Sequence, residues 1–314
     1  MSKISTRSAY GIALEEIGSN ENIVVLDADL QCCTRTEKFA ALYPERSFNV
    51  GIAEANMVGM AAGLATCGKT VFVNSFAMFT AGRAFEQIRN SLAYPHLNVK
   101  VIGTHCGVTV GKDGATHQCL EDIAAMRSIP GMTVLSPCDA NETILMTKAI
   151  AEYDGPCFMR LGRLDVDEVT NFIPEYHFEF GKAAKIGNGK DVTIAATGIM
   201  VQEALKALEL LKVQGIEATI LDIHTIKPLD EQAIIEAAEA TGCIVTAEEA
   251  NILGGLGAAV TEVVCEHYPV PVLRVGIRDE FGRSGDPYEL MEVYHVTAAD
   301  IVEKAIAAVA MKKK

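Results

Sequence analysis

Short apolar runs alternate with helix-spaced apolar positions along almost the whole chain. Residues 23–26, 71–74, 99–103, 132–135 and 157–161 each read as a strand buried on both faces. Between them, helical spacing covers residues 37–42, 79–94 and 120–128, and a further helix is started by Asp139 with Asn141 and Glu142 in its first turn. The pattern restarts at a strand over 192–196. A helix over 200–214, strand 218–223, helix 230–241, strand 243–246, helix 257–267 and strand 271–275 follow. Two terminal helices, near Pro287 and from Thr297, finish the chain. Such alternation builds parallel βαβ units. It predicts an α/β chain with two doubly wound domains, residues 1–164 and 191–314. Residues 165–190, rich in acids and aromatics without helical period, are expected to link them.

One stretch departs from the ordinary amphipathic pattern. Residues 48–65 read as a short strand, a glycine turn at Gly51, and a helix of small and apolar residues with one acid, Glu54, in its first turn. A surface helix would carry a polar stripe. A lone carboxylate in an apolar setting is expected to hold or share a proton near neutrality. The plainer alternative is an acid facing the helix dipole. The small side chains also suit close contact with another subunit.

Charge narrows the partners. The formal net charge of −14 argues against nucleic acid and anionic membranes, so an anionic ligand would need locally gathered cations. No apolar leader and no bilayer-length run is evident, and nine cysteines without a Cys-x-x-Cys spacing suit reduced, mostly buried thiols. The expectation is a cytoplasmic protein with a solvated basic tail, Lys312 to Lys314.

Ligands in open parallel sheets bind beyond the carboxyl ends of the strands. Four segments at such ends carry chemistry: the run containing Asp29, Cys32 and Cys33; the pair Phe76 and Phe79; the loop with His105, Cys106, Asp113 and His117; and Arg160 with Arg163. Plainer readings exist for each. Asp29 could be a turn acid, the phenylalanines core, and the arginines surface ion pairs. His105, Cys106, His117 and Cys119 match no common zinc spacing. The glycines of Gly254-Gly255-Leu256-Gly257 suit close packing at a helix start better than a dinucleotide site.

Together the motifs resemble transketolase. Gly51-Ile52-Ala53-Glu54, the Phe76/Phe79 pair, and Val110-Gly111-Lys112-Asp113-Gly114-Ala115-Thr116-His117-Gln118 followed by Glu121, Asp122, Arg127 and Pro130 resemble its pyrimidine-binding domain. Thr225-Ile226-Lys227-Pro228-Leu229-Asp230 and the 254–257 glycines resemble its C-terminal domain. The resemblance implies transfer of a two-carbon ketol unit, from a ketose expected to be phosphorylated, to an aldose through thiamine diphosphate. Glu54 is implied as the acid on the cofactor's pyrimidine nitrogen, Phe76 and Phe79 as the pocket around that ring, and Asp29 as an acid close by. Asp113 and His117, implied with Glu54 as the catalytic set, would meet sugar hydroxyls. His105 and Arg163 would be two cations holding the terminal phosphate. Cys33 stands where many members of the family place a phosphate-contacting Ser, and Cys32 replaces a usual Pro. Cysteine is a weak donor, which leaves room for another anionic sugar end.

The family's diphosphate and metal site uses Gly-Asp-Gly, which this sequence lacks. The resemblance therefore implies a C-terminal subunit of a split transketolase, with no metal ligand of its own. An N-terminal subunit would hold the diphosphate and Mg²⁺, in a heterotetramer of two plus two chains. Two rivals use the same cofactor. A 1-deoxy-xylulose-5-phosphate synthase usually differs at His105 and Phe79, and a 2-oxo-acid dehydrogenase beta subunit should lack the Gly-x-Asp-Gly-x-Thr-His-Gln loop. A non-catalytic scaffold would have no use for Glu54, both phenylalanines, Asp113 and both histidines.

Overall fold

The computed structural model describes residues 3–312. Its strands are β1 (Ile4–Ser5), β2 (Ile23–Asp27), β3 (Ser47–Asn49), β4 (Thr70–Phe76), β5 (Val99–Thr104), β6 (Thr133–Leu135) and β7 (Cys157–Leu161). They continue as β8 (Asp165–Val166), β9 (Ala184–Ile186), β10 (Val192–Ala196), β11 (Ala218–Asp222), β12 (Thr225–Lys227), β13 (Ile244–Asn251) and β14 (Val272–Ile277). β2, β4, β5 and β7 are buried at every position, as continuous apolar runs require when helices cover both faces.

Seven strands form the first sheet, in the order β12-β6-β7-β5-β4-β2-β3. All are parallel except β12, which pairs antiparallel with β6 through Thr225 and Leu135. The second sheet, β14-β13-β10-β11-β9, is parallel apart from its edge strand β9. β1 and β8 make a small antiparallel pair. The α/β reading with two doubly wound sheets holds, with an antiparallel strand at one edge of each. The stretch 165–190 carries β8 and β9, and its Phe178 and Phe180 pack on the first half's core.

The helices follow their start signals. The Asp139 carboxylate accepts the Glu142 N–H at 2.8 Å, which satisfies a free donor of the helix Ala140–Glu152. Residues 79–94, read as one helix, are two π-helical turns, Met78–Arg83 and Ile88–Ala93, around a short α segment. The helix Thr6–Ile17, absent from the pattern reading, buries Tyr10 and Leu14. Among the described residues no helix is long and apolar enough to cross a membrane.

Two surface readings are corrected. Arg160 is buried: its Nε donates to Asp122 Oδ2 at 2.7 Å and its Nη2 to the Glu249 carbonyl at 2.7 Å, so it joins the two halves. Lys312 is not a solvated end, because its Nζ donates to the carbonyls of Asp191 and Thr241. Lys313 and Lys314 lie outside the described residues. All nine cysteines are free, five of them buried.

The second half also braces the loop after β5. Glu249 Oε1 accepts the Thr109 N–H at 2.5 Å, Gln118 Nε2 donates to the Arg283 carbonyl at 3.0 Å, and Ser284 Oγ to the Lys112 carbonyl at 2.7 Å. Gly107 has φ +73°, and a Cβ there would stand 2.2 Å from the Glu249 carboxyl carbon. Only glycine serves at such a point.

Candidate active site

Register brings the strand ends into line. Asp27 pairs with Asn49 and Asn74, Phe76 with Thr104, and Thr104 with Leu161. The carboxyl ends of β3, β2, β4, β5 and β7 therefore form one edge, in that order. Glu54 follows β3, Asp29 follows β2, Phe76 ends β4, His105 follows β5 and Arg163 follows β7. Neighbouring strands are about 4.8 Å apart, so the edge from β3 to β7 spans roughly 19 Å.

At one end, Glu54 begins the helix Glu54–Thr66 and is buried. Its Oε2 pairs with Arg83 Nη1 at 2.7 Å and its Oε1 accepts from Ser75 Oγ at 3.3 Å. The carboxylate is therefore not in the wholly apolar setting expected from the sequence. Arg83, brought beside it by the π-helical turn, is half-exposed and lies 4.7 Å from the Phe79 ring centre.

Next along the edge, four rings meet. Phe76 and Phe79 stack at 5.9 Å with 16° between their planes. His105 lies 3.9 Å from Phe76, and His117 stands edge-on to Phe79 at 5.4 Å. The His117 Nδ1 is tied to Thr116 Oγ1 at 2.9 Å, which fixes the ring plane. Asp29 is more loosely connected. It is exposed, with φ +66°, and its N–H donates to Asn49 Oδ1 at 3.1 Å.

His105 is buried and neutral, contrary to its expected role as a cation. Arg7 Nη1 lies 3.2 Å from its Nε2, and a guanidinium can only donate, so Nε2 accepts. The ring proton then sits on Nδ1 and donates to Thr104 Oγ1 at 2.9 Å. Burial first, then the charges of Arg7, Arg163 and Arg35, pull its pKa down to about 3.

The cations beyond it are arginines. Arg7 Nη1 also donates to the Cys33 carbonyl at 2.9 Å, and Arg163 Nη1 donates to the Val110 carbonyl at 2.7 Å while standing 3.5 Å from Asp113. Arg7, Arg35, Lys112 and Arg163 line one cavity of about 420 Å³. The structure thus brings Phe76, Phe79, His105 and His117 together, and Asp113 with Arg163. Arg7, Arg35, Ser75 and Arg83 escaped the sequence reading. No local spacing signals them, since Arg7 and His105 are 98 positions apart.

The description "Transketolase, pyrimidine binding domain" matches residues 2–168, and "Transketolase, C-terminal domain" matches residues 181–301. The chain belongs to the transketolase family. A Methanocaldococcus jannaschii protein named for a transketolase C-terminal section is 50% identical, over 95% of this chain and 94% of that one. The 6-deoxy-6-sulfo-D-fructose transketolase subunit of Clostridium sp. strain MSTE9 is 45% identical, over 94% of this chain and 91% of that one. A solved split-gene transketolase, described as an inactive beta4 tetramer, superimposes with a TM-score of 0.90 at 49% identity. The match covers 99% of this chain and 100% of that one. Transketolases depend on thiamine diphosphate, and this chain matches the C-terminal section of the split forms.

Proposed function

We propose that this chain is the catalytic C-terminal subunit of a split transketolase. With an N-terminal subunit it transfers a two-carbon ketol unit from an anionic ketose to an aldose. The observation that carries this reading is the single sheet edge, with a buried acid and stacked rings at one end and a cation-lined cavity at the other.

The residues fit thiamine diphosphate. Glu54 Oε1 holds only the Ser75 hydroxyl, at 3.3 Å, and has capacity to share a proton with a pyrimidine ring nitrogen. Phe76 and Phe79 would wall the ring's face. When bound, the cofactor supplies the electron sink for breaking and making the carbon–carbon bond beside a ketose carbonyl. Phe76 and Phe79 exclude water at that bond. His117 and Asp113, on the loop braced by the second half, orient the sugar hydroxyls. His105 positions Arg7 by accepting its N–H, and Arg163 offers a planar fork to the terminal anion. Asp29 stands beside the pyrimidine end. Cys33 lies at the anion end, where its carbonyl accepts from Arg7. The diphosphate and Mg²⁺ are left to the partner subunit, since Gly-Asp-Gly is absent here, and two chains of each kind form the working tetramer. The nine free thiols support a cytoplasmic setting.

The test is reconstitution. The purified chain alone should show no turnover with thiamine diphosphate, Mg²⁺, a phosphorylated ketose and an aldose. Adding an N-terminal split-transketolase subunit should restore ketol transfer. Robust turnover by the chain alone would overturn the split assembly, and pyruvate outperforming every ketose as donor would favour the synthase reading.

A further inference from the structure

Two cations at the far end of the edge have no place in the scheme above. Arg35 ends the helical turn Gln31–Thr34 at φ +66° and stands close enough to Arg7 for the two charges to repel. Its nearest acid, Glu37, is 4.0 Å away. Lys112 precedes Asp113 on the braced loop, is exposed, and has no hydrogen-bond or ion-pair partner for its Nζ among the described residues. Both line the cavity of about 420 Å³ that Arg7 and Arg163 also line, with Asp165 the acid on its wall. Crowded like charges cost free energy unless an anion relieves them, and the Arg7 pKa is lowered by burial and then by Arg35 and Arg163. In a chain of net charge −14, four cations around one cavity need an explanation that solubility does not give.

We propose that Arg35 and Lys112 form an outer cation pair that selects ketose donors by the charge of their far end, favouring a doubly charged phosphomonoester over a singly charged sulfonate. The proposal rests on the transketolase reading. Arg7 and Arg163 meet the first charge of the terminal group. Arg35, with five donors in a fork, and Lys112, as a mobile point charge, meet the second. A sulfonate carries a single charge at every working pH, so it draws less from the outer pair. A phosphomonoester has a second pKa near 6 and carries roughly −1.5 to −2 at neutrality.

The experiment uses the reconstituted complex with wild type, Arg35→Gln, Lys112→Gln and the double variant. Donors are a ketose phosphate, the corresponding 6-deoxy-6-sulfo ketose and hydroxypyruvate. Each single change should raise the KM for the phosphate donor about tenfold, as expected for one lost charged hydrogen bond, with a smaller rise for the sulfonate and the smallest for hydroxypyruvate. The phosphate-over-sulfonate preference of the wild type should shrink as pH falls through about 6. Equal losses on phosphate and sulfonate donors, or a preference that ignores pH, would overturn the proposal. Calorimetric titration of the same complexes with inorganic phosphate and with methanesulfonate separates the two levels. If no donor is turned over, the enzyme reading fails. The outer pair still stands if the double variant loses phosphate affinity more than methanesulfonate affinity, and falls if it does not. Both side chains reach solvent, and far-UV circular dichroism checks that the variants fold.

Discussion

Arg83 grips Glu54 from the π-helical turn after β4: its Nη1 lies 2.7 Å from Glu54 Oε2 while its guanidinium rests 4.7 Å from the centre of the Phe79 ring. One side chain thus sets the position of both the acid and an aromatic wall. It engages one carboxylate oxygen and leaves the other to Ser75.

Glu54→Gln should keep the fold, because the amide has nearly the shape of the carboxylate. Turnover of the complex should fall by at least about a hundredfold. Hydrogen–deuterium exchange at the thiazolium carbon of bound cofactor is the direct readout, and an unchanged exchange rate would remove Glu54 from its role. Arg83→Gln should lower turnover less, since Glu54 itself remains, but the buried carboxylate loses its charged partner and its fixed position.

His105 should not titrate between pH 5 and pH 8. Its folded pKa, about 3, lies below the ordinary value of 6.5, so the unfolded chain binds the proton first. The stability His105 contributes is present above pH 6.5 and is lost as pH falls toward 3. NMR of ring-labelled histidines checks this: the His105 signal should stay at its neutral position. In an Arg7→Gln variant the apparent pKa should rise, because one of the depressing charges is gone.

Glu142 and Asp222 form a buried carboxyl pair between the helix Ala140–Glu152 and the end of β11. Glu142 accepts from the Tyr176 hydroxyl and the Cys138 N–H, while neither Asp222 oxygen has a hydrogen-bond partner. Burial, and then each carboxyl's nearness to another acid, raises both Glu142 and Asp222 above the usual carboxyl range. Raised carboxyl values mean the folded state keeps protons that the unfolded state has released, so stability should fall as pH rises above about 4. Asp222→Asn supplies an amide donor and removes one titration. Urea unfolding should show the variant more stable than wild type by about 1–3 kcal/mol at pH 8, with a smaller gap at pH 5. The same pH slope in both proteins would refute the pair.

Arg160→Met should be among the most damaging single changes. It strands Asp122 in the interior and frees the Glu249 carbonyl, so about 3–5 kcal/mol of stability should be lost. Asp122→Asn with Arg160→Met together should recover part of it. A melting-temperature series over the two single variants and the double variant measures the coupling, and additive losses would contradict a buried pair.

The strands were legible because each doubly covered strand is an unbroken apolar run, and Glu54 because it is the one acid in its helix. The edge strands β8, β9 and β12 are two or three residues long, too short to leave a period. The π-helical turns were read as an ordinary helix, since a five-residue closure differs little from a four-residue one in an apolar pattern. Arg7 and Arg35 lie in unremarkable polar positions, and their role exists only after the chain folds Arg7 onto His105 beyond β5. The charge of His105 could not be read either. It depends first on burial and then on three guanidiniums, all of which come together only through tertiary structure.

β12 completes the first sheet although the chain has by then already laid down β9, β10 and β11 of the second. A break before Thr225 would strip a strand from the first sheet, and a break after Lys227 would divide the second sheet between two pieces. No single cut between β7 and β13 parts the two sheets and leaves both whole. A chimera that exchanges the second half with that of a relative must therefore transplant one rib of the first sheet too, with side chains that still mate with Val134 and Leu135.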